Sequence, residues 1–325
     1  MPVLDAVHDF AHPVEGDAAW SESYYFNGYD ADADCGLFTR IGVRPNEGTL
    51  DAGLSVWLPG TDIATVHGVR PQTEMTDSEL TAAGVRYERL VPMREWRLTC
   101  DAEATLRDLD RQRESRKTRL RMDLRFQSLT PAVGVDGRPQ EGASAAAGQS
   151  TGKGHLEQAG RLTGWVEADG RRHEVEAARG NRDKSWGPRR WGGPTFWRWF
   201  SINLGDEMHF GGILIGTAAG ELHRGWVWRD GAFASIRQWD VRTELAKDGY
   251  THRVTRVRAR DSRDRVHELR GDVLRVAPVV HEVGGRRTVI NEGLTRWTCE
   301  DREGYGIAEY LHQLDADGRP VVPVR

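Results

Sequence analysis

Strict apolar–polar alternation, repeated in short runs along the chain, is the feature that most limits the folds open to this sequence. In the segment 118–129, Leu120, Met122, Leu124 and Phe126 alternate with Arg119, Arg121, Asp123 and Arg125. Side chains two residues apart share a face of a β-strand, so such a run makes one apolar and one wet face. The pattern recurs in CGLFTRIGVRPNEG, with Leu37, Thr39, Ile41 and Val43 on one side, and in TLDAGLSVWLPG, with Leu54, Val56 and Leu58. Asp-Gly pairs beginning at Asp136, Asp169, Asp230, Asp248 and Asp317 separate alternating runs, and this dipeptide favours tight hairpin turns. Many short antiparallel strands so spaced point to barrels or sandwiches. Only 77–83 and 102–110 read as short helices. The expected fold class is all-β.

At 325 residues the chain has the length of two domains. Meanders flank a central stretch, 179–199, and the boundary is expected at 187–193, giving domains 1–187 and 188–325. Residues 137–154, rich in Gly, Ala and Ser, read as a flexible loop of the first. A net charge of −4 imposes no field that demands nucleic acid or an anionic membrane. The basic run 111–125, broken by Glu114 and Asp123, reads as the solvated edge of a strand. No stretch reaches the roughly 18 apolar residues of a membrane helix, and the first residues lack a signal-peptide pattern. Three scattered cysteines, Cys35, Cys100 and Cys299, fit unpaired thiols of a reducing cytoplasm.

The stretch 179–199, RGNRDKSWGPRRWGGPTFWRW, carries the most suggestive chemistry. Its glycines and prolines make it read as a bent segment between strands. Asp183 lies beside Arg182, Lys184 and Trp186. A protonated acid amid indoles can protonate an alkene and stabilise the resulting cation; an aspartate flanked by two cations is equally suited to pinning a turn. Glu157 shares the side of His155 and reads either as a second acid or as a buried structural carboxylate, with Arg182 or Arg189 available to pair it. Trp197 with Trp199, and Trp226 with Trp228, each share a strand face, and such pairs in adjacent strands stack as a ladder. Seven of the 12 tryptophans fall between Trp186 and Trp239, Trp191 among them, which favours a flat apolar ligand wall. His209 and His223 on those strands read as polar fixtures or satisfied rim residues; Tyr25 and Trp96 complete the candidate wall. His8 and His12 are four apart, but Pro13 argues against a helix that would carry them as a metal pair. No Cys-x-x-Cys or His-x-His occurs, and GASAAAGQSTGKG lacks the strand–loop–helix context of a nucleotide site.

The runs HLEQAGRLTGWVEADG, GNRDKSWGPRRW and GWVWRDG, with DAAWSESYYFNGYD and FTRIGVRPNEG nearer the start, resemble the hydroxyneurosporene synthase (carotenoid hydratase) and AttH-like superfamily. Within it the chain resembles a branch of members without assigned function, marked by a Glu-Gln before a strand and an Arg-Asp-x-Ser-Trp-Gly turn. The resemblance covers nearly the whole chain. It implies two tandem lipocalin-like (calycin) β-barrels and no metal or organic cofactor. It also implies hydration of isolated double bonds or cyclisation of terpenoid, polyketide or aromatic substrates; in such an enzyme Asp183 is the expected proton donor and Glu157 a second carboxylate. Hydratases of this kind show Tyr and His around the aspartate, where this chain has Asn181 and Lys184, so a His-dependent scheme does not transfer. The alternative is a non-catalytic carrier of an apolar small molecule. Either way the implied partner is a hydrophobic small molecule, with a homodimer left open.

Overall fold

The computed structural model describes residues 1–109, 115–283 and 285–324. Asp110 and the start of the basic run, 111–114, lie outside them. The chain clusters into two compact units: one holds 2–137 and 153–188, the other Met1, 138–152 and the chain from Arg189 on.

The first unit opens with β1 (Trp20–Asp30), β2 (Cys35–Arg44), β3 (Thr49–Trp57) and β4 (Asp62–Pro71). There follow β5 (Leu80–Ala82), β6 (Val85–Val91), β7 (Glu95–Asp108), β8 (Arg116–Ser128) and β9 (Val133–Asp136). After helix α1 (Gly142–Thr151), which belongs to the second unit, come β10 (Gly154–Ala168) and β11 (Arg171–Pro188). The sheet order is β4-β3-β2-β1-β11-β10-β8-β7-β6-β5, with β9 on β10. Asp62–Thr65 of β4 also pair with Thr105–Asp108 of β7, which joins the ends and closes eight strands into a ring. Its inner face is apolar, with Tyr24, Phe26, Trp96, Leu124 and Phe126 in one cluster.

The second unit runs in sequence order around a closed barrel. Its strands are β12 (Phe196–Asn203), β13 (Met208–Thr217), β14 (Gly220–Arg229) and β15 (Ala232–Leu245), then β16 (His252–Asp261), β17 (Val266–Val283), β18 (Arg286–Cys299) and β19 (Arg302–Leu314). Phe200, Phe210, Trp239, Trp297 and Tyr310 anchor its core. Barrels of eight strands are just wide enough to be filled by side chains or to hold one small ligand. The all-β expectation is met, and the alternation found in 118–129 is the burial pattern of β8.

Four local expectations fail. The segment 77–83 carries β5, and 102–109 lies largely inside β7. There Trp96, Leu98, Cys100, Ala102, Ala104 and Leu106 are all buried, so the period of two simply continues through the alanines. The expected loop 137–154 holds α1, consistent with the high helix propensity of its alanine run. Finally, β11 extends to Pro188, so the first half of the tryptophan-rich stretch is regular strand and the connector is confined to 189–195. The three cysteines are buried, and among the described residues they form no disulfide. Among the described residues no helix is long and apolar enough to cross a membrane.

Candidate functional site

Strands β10 and β11 pair antiparallel with Glu157 directly opposite Asp183 and His155 opposite Ser185. Directly opposed residues share a face, so His155, Glu157 and Asp183 meet. The His155 Nε2 and Asp183 Oδ2 share a hydrogen bond, and the same nitrogen lies 3.7 Å from Glu157 Oε1. The ligand-type atoms of all three lie within 4.8 Å of one another. Glu157 is fully buried, whereas the side chains of Asp183 and His155 are 15% and 27% exposed. The cluster therefore has a dry back and an accessible front. On the other flank of β11, Tyr25 of β1 stands opposite Asp183. An imidazole bonded to one carboxylate and beside another can pass a proton between them, which is general acid–base machinery. The sequence places Glu157 on the side of His155 but does not mark that histidine as functional. The legible signal is His-x-Glu on one strand face.

A single extra residue sets this register. The hairpin at Asp169–Gly170 pairs Ala168 with Arg171, and counting inward from it without interruption would set Glu157 opposite Arg182. Between Leu162 and Gly164 the register shifts, because Glu176 and Ala177 together stand against Thr163. This β-bulge moves Asp183 into the place Arg182 would hold. Gly164, at φ +135°, permits the distortion, and a Cβ there would lie 2.1 Å from the Asp123 carbonyl oxygen. Asp30 secures it: its Oδ2 accepts the N–H groups of both Glu176 and Ala177, each at 3.0 Å. Burial pushes the Asp30 carboxyl up, but four backbone N–H donors, from Ala177, Ala33, Glu176 and Asp32, outweigh it and hold the pKa below the usual carboxylate value.

Arg182 and Lys184 do not serve Asp183, because strand alternation turns them to the opposite face. Arg182 donates to Asp9 Oδ1 and to Gln158 Oε1, both at 2.6 Å. Lys184 is bonded to Glu22 and, at 2.9 Å, to the Phe10 carbonyl. Burial lowers the Lys184 pKa, with Glu22 opposing the shift. Arg182 is therefore not the partner of Glu157 either. Trp186 shares the Lys184 face, stacked on His12 at 3.8 Å and on His8 at 5.3 Å. Trp96 is fully buried among Tyr24 and Phe26. Neither indole shares the strand face of Asp183.

The remaining candidates belong to the second unit. Trp197 and Trp199 on β12 and Trp226 and Trp228 on β14 form no adjacent-strand ladder, because β13 runs between them. Trp197 Nε1 donates to Glu309 at 2.5 Å, and Trp226 and Trp228 pack edge-on against Phe233. Trp199 is buried. Trp191 stacks on His281 at 4.4 Å, with the Arg189 guanidinium 5.2 Å from its ring. His209 bonds to Asn203 and the Asp206 carbonyl, and His223 accepts the Trp239 N–H, as satisfied structural histidines do.

A family model described as "Domain of unknown function (DUF7064)" matches residues 5–314, so the chain belongs to that family. No curated protein matches it by sequence. Solved structures share its fold at low identity. An AttH-like protein from Nitrosomonas europaea superposes with a TM-score of 0.64 at 13% identity, covering 90% of this chain and 92% of that one. Kievitone hydratase from Nectria haematococca gives 0.61 at 11%, covering 95% and 93%. CghA gives 0.55 at 12%, covering 90% and 88%.

Proposed function

We propose that this DUF7064 protein is a cofactor-independent lyase or isomerase, a hydratase, dehydratase or cyclase acting on a hydrophobic terpenoid, polyketide or aromatic substrate. The observation that carries the reading is the His155–Asp183 hydrogen bond with buried Glu157 beside it. In the hydration direction, the Asp183 carboxyl transfers its proton to an alkene carbon. Water adds to the resulting cation and loses a proton, which returns to Asp183 through His155. Glu157 orients the imidazole, and the Tyr25 ring opposite Asp183 supplies an aromatic face for the cation. The imidazole absent from positions flanking Asp183 in sequence is provided by the neighbouring strand. Fold similarity to a protein named as a hydratase supports the same reaction class.

The test is a panel of prenylated phenols and terpenoid alkenes incubated in heavy-oxygen water, scored for oxygen incorporation. A folded Asp183→Asn protein is expected to lose about 10²–10⁴-fold in turnover. Full turnover by that variant removes the acid role. The clustering within 4.8 Å favours one second reading, a divalent cation held by the same three groups. Turnover unchanged by exhaustive chelation decides for acid–base chemistry, and turnover abolished by it decides for the metal.

A further inference from the structure

The second unit contains a buried cation that pairs with no carboxylate among the described residues. Arg198, on β12, is 5% exposed and points to the inner face of its barrel. Its described hydrogen bonds are made by Nη1 alone, to the carbonyls of Trp197 at 2.6 Å and Leu311 at 3.2 Å. Its guanidinium lies 4.2 Å from the Tyr310 ring centroid and 5.1 Å from that of Phe196. No carboxylate among the described residues forms an ion pair with it. Taking a guanidinium out of water is costly without a counter-charge, and Arg is the side chain best suited to bind a carboxylate through two parallel N–H groups.

Beside Arg198 lies a cavity of about 120 Å³, also lined by Phe196, Leu214, Trp239, Val241, Val322 and Pro323. One water needs only ~10–15 Å³ by such a measure, so the space admits a small organic molecule. Its lining combines these six apolar residues with charged ones, and the chain beyond β19 borders it at Val322–Pro323. Two further lining residues, Glu221 and Asp240, are exposed and mark the solvent side. Their charge disfavours polyanions and leaves a single negative charge as the best match for Arg198. The nearby imidazoles of His252 and His312 are neutral near pH 7: burial, with Arg198 adding to it, pushes both pKa values down to about 3. Arg198 itself, lowered to about 10 by burial, stays charged.

We propose that the lumen of the second barrel binds a small monocarboxylate with a branched or aromatic apolar tail, its carboxylate on Arg198 and its tail against Phe196, Leu214 and Trp239. This site is independent of the His155 cluster and of the reaction assigned there. Trp239 in the wall gives a direct readout by fluorescence.

The experiment titrates the full-length protein with 3-methylbutanoate, following Trp fluorescence and heat. Saturable binding is expected, at least about tenfold tighter than for 3-methylbutanamide, as one lost charge-assisted contact implies. Arg198→Gln is expected to abolish the preference for the acid over the amide. Leu214→Phe, which fills the cavity and leaves Arg198 in place, is expected to weaken binding by about tenfold or more. Should Arg198→Gln fail to fold, the acid–amide comparison and Leu214→Phe still decide. No saturable binding, equal affinity for acid and amide, or binding unchanged by Leu214→Phe overturns the proposal. Inorganic phosphate binding as tightly as the carboxylate overturns the assignment of an apolar tail.

Discussion

The two barrels treat buried positive charge in opposite ways. In the first, Arg182 and Lys184 are 2% and 1% exposed, and each meets a fully buried carboxylate, Asp9 or Glu22. In the second, Arg198 is nearly as buried and rests on carbonyls and aromatic rings. Net charge cannot reveal this difference, and neither can residue type. A paired buried cation completes a structure, whereas one facing a cavity is disposed to complete a complex.

The sharpest attack on that contrast is Glu22→Ala, which leaves the Lys184 ammonium buried beside an empty position. Breaking a buried pair from one side costs about 3–5 kcal/mol, so urea unfolding should register a loss of that size. A loss below about 1 kcal/mol would mean that the pair is not structural.

Next in size is Asp30→Ala, which removes the acceptor shared by Glu176 and Ala177. Unsatisfied N–H groups at the bulge should cost about 1–3 kcal/mol, and loosened register should lower turnover more than a surface change of equal stability cost. The pH dependence has a definite sign. The Asp30 pKa is depressed in the folded chain, so its contribution is fully present above the ordinary carboxylate value, about 3.9. It is lost as pH falls from there through the folded value. The stability gap between wild type and Asp30→Ala should therefore narrow on acidification below about pH 4. A gap that widens contradicts the hydrogen-bond account.

Smallest is Arg198→Met in the ligand-free protein. Replacing a buried charge by an apolar side chain of similar volume is often neutral or stabilising, so a change within about 1 kcal/mol is expected in urea unfolding. A loss as large as that of Glu22→Ala would make Arg198 structural after all and erase the contrast.

Much of the fold is legible residue by residue. The alternation in β8, the Asp169–Gly170 turn and the shared face of His155 and Glu157 follow from a period of two. What eludes that reasoning is a count off by one. The bulge at Glu176–Ala177 is held by Asp30, 146 and 147 residues away in the chain, so no local pattern announces it. Without the bulge, Glu157 faces Arg182 and looks like half of an ion pair; with it, Glu157 faces Asp183. The alanines of 102–109 mislead for a related reason, since alanine favours helices alone but fits a strand whose neighbours bury it. The partners of Arg182 and Lys184 were equally hidden, because Asp9 and Phe10 come from the opening segment.

That opening segment has a practical consequence. Asp9, the Phe10 carbonyl and His12 all reach the buried cations of β11, and His8 and His12 lie flat on Trp186. A version of the chain trimmed back to Trp20 would retain every strand yet expose two charges that had been sealed beneath a lid of rings. The emission of that indole is a natural gauge of whether the lid is seated.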